Sequence, residues 1–283
     1  MRQASRTAAT SRRSVLALAL VLAVLASGGD AVSTDDPAQA KAMRACQYTS
    51  GTCAASTHRM KFAPMPLAAP CSIWYVGAFT KGIDGQRMHN KYPCTIHVFE
   101  PVKPYIEAVR TLWQQKGFTR AKYHAYGLAA SSRHVDGVTL LDGHGGAATF
   151  GLASNASTAP SASQHSVVSI ELRSVAKVWR TLVGEGRVDY MFINCEGCEY
   201  EILPAMADAD LLRKVRYLDW RPHGNFHQME RIPERYCAIE RQLSATHACA
   251  HRDGSPETLV HWERWANLDR AASSRGFRIP KHV

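Results

Sequence analysis

Several things are missing from this sequence, and each absence removes a class of function. Beyond the first 31 residues no stretch is apolar over the ~20 positions that a membrane-spanning helix needs. No cysteine and histidine spacing matches a standard zinc finger: Cys237 and Cys249 have His247 and His251 nearby, but not in that pattern. There is no internal repeat, and Gly77 and Gly82 do not make a dinucleotide fingerprint. The net charge is +10, yet the basic residues are scattered among acids and form no cluster interleaved with aromatics. Such a balance reads as a solvated surface, with affinity for anionic glycans or a membrane surface as the alternative; a nucleic-acid partner is not expected.

What is present begins with a leader. Arg2, Arg6, Arg12 and Arg13 precede a 13-residue apolar run at 14–26, and Ser27, Gly28 and Gly29 follow it. This is the basic, apolar and small-residue order of a secretory signal, expected over 1–31. A retained signal anchor is the alternative, and a twin-arginine signal or an organelle transit peptide would share these features. Without the leader the chain keeps 30 basic and 23 acidic residues, a net +7. All eight cysteines lie after it, at 46, 53, 71, 94, 195, 198, 237 and 249, and an even count behind a leader favours disulfides. Cys46 with Cys53 is a plausible small loop, and Cys237 with Cys249 would tie a helix to the next strand. Asn155-Ala156-Ser157 is a glycosylation sequon of the same compartment.

Residues 32–70 mix Ala, Pro, Thr, Ser and Asp without periodicity, which predicts an extended arm. A folded domain is expected over 71–283. Short β-prone runs at 72–76, 94–99, 121–128, 167–170, 188–195 and 215–220 alternate with helical patterns, and 138–141 offers a further short strand. The clearest helix carries Val102, Tyr105, Ile106, Val109, Leu112 and Trp113 on one face and ends at Gly117. A short polar helix to about Asn90 and helices over 173–182 and from about Cys198 are also expected, the last broken or kinked by Pro204 near Leu203. Another should run from Pro233 to about Ser244, and the tail with Trp262, Trp265 and Phe277 should close the sheet. The Gly, Ala and Ser-rich stretch 142–166 reads as a lid or as a tolerated insert. This alternation predicts an α/β fold with a largely parallel sheet and helices on both faces.

In such sheets ligands bind beyond the carboxyl ends of the strands. Two acids fall there, Glu100 and Glu196, and Glu100 follows Gly77 by 23 residues, the interval at which an acid reaches a ribose diol. Glu100 could equally cap the helix after Pro101.

The motif Ile193-Asn194-Cys195-Glu196-Gly197-Cys198-Glu199 resembles the I-D-V-E-G-A-E segment of the FkbM family of S-adenosylmethionine-dependent methyltransferases. Val98-Phe99-Glu100-Pro101 resembles its A-F-E-P element, and Gly77-Ala78 stands where its glycine turn belongs. Residues 126–130 and 170–175 follow in the family's order, so the resemblance covers about 72–225. It implies a Rossmann-like class I methyltransferase fold, S-adenosylmethionine as cofactor, and O-methylation of a sugar or natural-product hydroxyl. It assigns Gly77, Ala78, Glu100 and Asn194 to the cofactor. Glu196 and Glu199 fall at the pocket rim, and His223 becomes the general base for the acceptor hydroxyl. Tyr75 stands where the family has its first-motif Asp, the Gly77 to Gly82 spacing is one residue too long, and Asn194 replaces an Asp. A lost carboxylate weakens complementarity to a cationic cofactor, so a non-catalytic binding protein on the same fold is a second reading. A third comes from Cys195-Glu-Gly-Cys198, since a C-x-x-C between strand and helix is where thiol oxidoreductases keep their dithiol.

Overall fold

The computed structural model describes residues 65–140, 166–223, 231–253 and 262–271. The leader, the Cys46–Cys53 loop, the sequon and Phe277 lie outside them. So does the 142–166 stretch, apart from Ser166. Seven strands form the main sheet: β1 (Ser72–Val76), β2 (Thr95–Phe99), β3 (Ala121–His124), β7 (Val188–Ile193), β8 (Val215–Trp220), β9 (His247–Asp253) and β10 (Trp262–Asn267). Their spatial order is β3-β2-β1-β7-β8-β10-β9. The first five pair in parallel, and β10 runs antiparallel to both of its neighbours. With only these strands counted, the order is 3-2-1-4-5-7-6, so its first five positions follow the Rossmann pattern. The expected Rossmann-like α/β fold is what the chain adopts.

β1 and β7 are central, and their near-continuous apolar sequences follow from burial on both faces. Alternate residues serve opposite cores. Trp74, Val76, Met191 and Ile193 pack on one side with α3 (Val175–Leu182), α4 (Glu199–Asp208) and α5 (Ile232–Ser244). Ile73, Tyr75, Tyr190 and Phe192 pack on the other with α1 (Ile83–Lys91) and α2 (Lys103–Gln115). The predicted stripe on α2 is confirmed by Ile106, Val109 and Trp113, all fully buried. A Cys71–Cys94 disulfide joins the entries of β1 and β2.

Three expectations are corrected. The strand predicted over 121–128 is two: β3 stays in the main sheet, and β4 (Gly127–Ala129) leaves it to pair with β6 (Ser166–Ser174). Gly127 packs closely against Leu172 and Pro101 at this departure, where a Cβ would lie 2.7 Å from Leu172 Cδ2. β6 also pairs with β5 (Arg133–Leu140), so the two short predicted strands are arms of one antiparallel ribbon. The α4 helix continues through Pro204 to Asp208. Ile202, Leu203 and Met206 on either side are fully buried, and packing of this face outweighs the lost backbone hydrogen bond. Among the described residues no helix is long and apolar enough to cross a membrane.

Candidate active site at the carboxyl ends of the strands

β1, β2, β7 and β8 run parallel, so Gly77, Glu100, Asn194 and Arg221 follow their ends on one edge of the sheet. Gly77 has φ +85°, and a Cβ on it would lie 2.0 Å from the Asn194 carbonyl oxygen. Asn194 N–H donates to Val76 O and Gly77 N–H to Phe99 O, both at 3.0 Å. The glycine is therefore demanded by a backbone of the protein itself, which passes where a side chain would stand. Asn194 Oδ1 is buried and has no hydrogen-bond partner.

Glu100 turns back onto the β1 turn. One carboxylate oxygen accepts from Phe79 N–H at 2.9 Å and the other from Val102 N–H at 3.1 Å. The side chain is 3 % exposed, and burial pushes its carboxyl up to about 7 against the opposing bonds from Val102, Phe79 and Ala78. It binds the N–H at the head of α2, and it also holds the turn that carries Gly77 and Ala78.

The second group lies between β7, α4 and the end of β8. Glu199 is fully buried, and one oxygen accepts from both His223 N–H at 3.1 Å and His223 Nδ1 at 2.8 Å. Its other oxygen accepts from Gly197 N–H at 3.0 Å and lies 3.4 Å from Cys195 Sγ. On the far side of the imidazole, Glu196 Oε1 is 3.4 Å from His223 Nε2. The sequence places these acids so because Glu196 (φ 55°) and Gly197 (φ 107°) fold the chain between β7 and α4 in the left-handed region. A non-glycine residue there is strained, a cost found at functional turns. Burial alone would lower the His223 pKa, but Glu199 and Glu196 outweigh it and raise it to about 9. Burial likewise pushes Glu196 up, yet His223 and Arg221 hold it below the ordinary carboxylate range.

The structure thus brings Glu196, Glu199 and His223 into one cluster, sets Gly77 against Asn194, and joins Glu100 to the turn of Ala78 and Phe79. The raised pKa of His223 favours the protonated imidazole between the two carboxylates. Cys195 and Cys198, read from their spacing as a candidate dithiol, form a disulfide at the edge of this cluster. Their C-x-x-C spacing was the available signal. Cys237 and Cys249 are also disulfide-bonded, and His247 Nε2 lies 3.0 Å from Val215 O, so these residues do not supply a thiolate site.

No protein-family model and no curated protein matches the sequence. Among solved structures, the chain is similar to methyltransferase FkbM from Methylobacillus flagellatus KT, at 10 % identity and TM-score 0.43 over 78 % of this chain. It spans half the length of that protein. A putative O-methyltransferase from Klebsiella pneumoniae gives 13 % identity and TM-score 0.41, covering 89 % of this chain and 97 % of that one. A putative rRNA methylase from Clostridium thermocellum gives 5 % and 0.45, covering 71 % and 89 %. These are coarse likenesses.

Proposed function

We propose that this chain is an S-adenosylmethionine-dependent O-methyltransferase acting on a hydroxyl of a carbohydrate or secondary metabolite. The observation that carries the reading is the gathering of Glu196, Glu199 and His223 beside the β1 turn, at the strand ends of a Rossmann-ordered sheet. The residues fit the cofactor in kind. Asn194 Oδ1 is an orphaned buried acceptor next to Gly77, and Glu196 offers a carboxylate to a cationic sulfonium.

When bound, the cofactor supplies an electrophilic methyl group on sulfur. The protein's own part is positioning and proton handling. Glu196, more open than Glu199, accepts the hydrogen bond of the acceptor hydroxyl and orients its oxygen. His223 is held by Glu199 through Nδ1, leaving Nε2 turned to Glu196. Below pH about 9 Nε2 keeps its proton and steadies the Glu196 carboxylate. As the pH rises through about 9 it loses that proton, and the pair takes the hydroxyl proton more readily.

The setting in this reading is the secretory pathway, secreted or in the Golgi or ER lumen, with anchoring by an uncleaved leader as the alternative. Disulfides at Cys71–Cys94 and Cys195–Cys198 support an oxidising compartment. A second reading, a non-catalytic binding protein on this fold, draws on Glu100, whose two oxygens are already taken by the β1 turn and the head of α2, and on Tyr75, buried against Phe192.

The deciding experiment is calorimetric titration of S-adenosylmethionine and S-adenosylhomocysteine into the oxidatively folded protein. Saturable one-site binding, weakened at least tenfold in Asn194→Ala, is the expected result. Absence of binding by well-folded protein would favour the non-catalytic reading.

A further inference from the structure

The Cys195–Cys198 disulfide is not explained as a staple. It closes a loop of sequence separation 3, where cross-linking restricts the unfolded chain least, and α4 and β7 are already packed on either side. Cys71–Cys94 spans 23 residues and ties two strands, so its stabilising role is plain.

The surroundings of the short disulfide suit chemistry instead. Its two sulfurs are unequal: Cys195 is 6 % exposed, whereas Cys198 is only partly buried at the N-cap of α4. The buried sulfur faces Glu199 Oε2 at 3.4 Å, and the other oxygen of that carboxylate meets His223 Nδ1 at 2.8 Å. In the disulfide form Cys195 has no proton to give to Glu199. Reduction creates one, and the contact becomes an S–H···O hydrogen bond that exists only in the reduced state. That difference favours reduction.

We propose that Cys195–Cys198 is a thiol–disulfide exchange site that accepts two electrons from a dithiol. A thiolate of the dithiol attacks Cys198 Sγ, forming a mixed disulfide and breaking the bond to Cys195. Cys195 leaves as a thiolate and takes up, through solvent, the proton that the attacking thiol gave up, after which its S–H donates to Glu199 Oε2. The second thiolate of the dithiol then attacks its own sulfur in the mixed disulfide and releases Cys198 as a thiolate at the start of α4, where the helix dipole lowers its basicity. The partner becomes a disulfide, its two protons pass to the two thiols, and the protein ends as the Cys195, Cys198 dithiol. This activity does not depend on methyl transfer, although both would use Glu199.

The test is equilibration of the full-length folded protein in dithiothreitol redox buffers, followed by acid quench, alkylation and peptide mass spectrometry. Cys195 and Cys198 should reach half-reduction at a reduced-to-oxidised ratio at least a hundredfold lower than Cys71 and Cys94. This is about 59 mV for a two-electron couple. Glu199→Gln, which weakens the acceptor that only the reduced Cys195 S–H uses, should raise the ratio needed for half-reduction of Cys195–Cys198 at least tenfold and leave that of Cys71–Cys94 unchanged. Half-reduction of both pairs at the same ratio, or of Cys71–Cys94 first, overturns the proposal on wild-type protein alone. An unchanged half-reduction ratio in folded Glu199→Gln overturns the part given to the S–H···O contact.

Discussion

His223 shows how far a residue's chemistry is set by its neighbours. As an isolated histidine it would titrate near the ordinary value of ~6.5, but between two carboxylates it holds its proton to about 9. The raised folded pKa makes the sign of its linkage definite. Its stabilisation is complete below about pH 6.5 and is lost as the pH rises through about 9, because the folded state binds the extra proton in that window. The size is on the order of 3 kcal/mol for a group this deeply buried. His97, His124 and His247, lowered to about 4, act oppositely, and each adds stability as the pH rises from about 4 toward the ordinary histidine value. Thermal unfolding followed by circular dichroism should therefore show the midpoint falling between pH 6.5 and 9, with a flatter alkaline limb in Glu199→Gln. If the enzyme reading holds, the logarithm of kcat/KM should rise toward pH about 9 in the wild type. In the variant the rise should fall at lower pH, where His223 titrates without its buried counter-ion.

The turn after β1 and the ribbon of β4, β5 and β6 were unequally legible. The turn could be read because only glycine suits its demand, and Gly77 meets the Asn194 backbone at a distance no Cβ tolerates. Gly77→Ala should cost at least ~3 kcal/mol, from strain at φ +85° together with the displaced β7 end, and chemical denaturation would measure it. A midpoint within ~0.5 kcal/mol of wild type would mean that the two strand ends are not held this closely. The ribbon was hard to read because its arms, Arg133–Leu140 and Ser166–Ser174, are joined across a long polar stretch, and no local pattern tells which strand an edge strand will pair with. Its attachment is tertiary: Arg133 forms a bidentate pair with Glu201 of α4, at 2.7 and 2.8 Å.

Across the whole molecule, β10 inserts between β8 and β9 and brings two buried ionic centres with it. Arg264 pairs with Asp219, which also accepts from Tyr190 Oη at 2.8 Å, and Glu263 joins Arg252, Tyr236, Trp220 and Trp265. Removing one partner of such a buried pair strands the other charge, at roughly 3–5 kcal/mol. Deleting residues 247–283 removes both centres and exposes the edge of β8. The truncated protein is expected to be insoluble or to lack a cooperative melt, and a cooperative transition close to the full-length midpoint would show that the hairpin is dispensable.

By itself the sequence determined the alternation of buried strands and amphipathic helices, the glycine turn, and the acids at the strand ends. These features are periodic or stereochemically unique, so they are written in residues close along the chain. Only the tertiary structure decided that Glu100 grips the β1 turn, that His223 is a cation between Glu196 and Glu199, and that Cys195 meets Glu199. Charge state and sulfur reactivity depend on burial and on partners as distant in sequence as Glu196 is from His223, and those distances exist only once the sheet has formed.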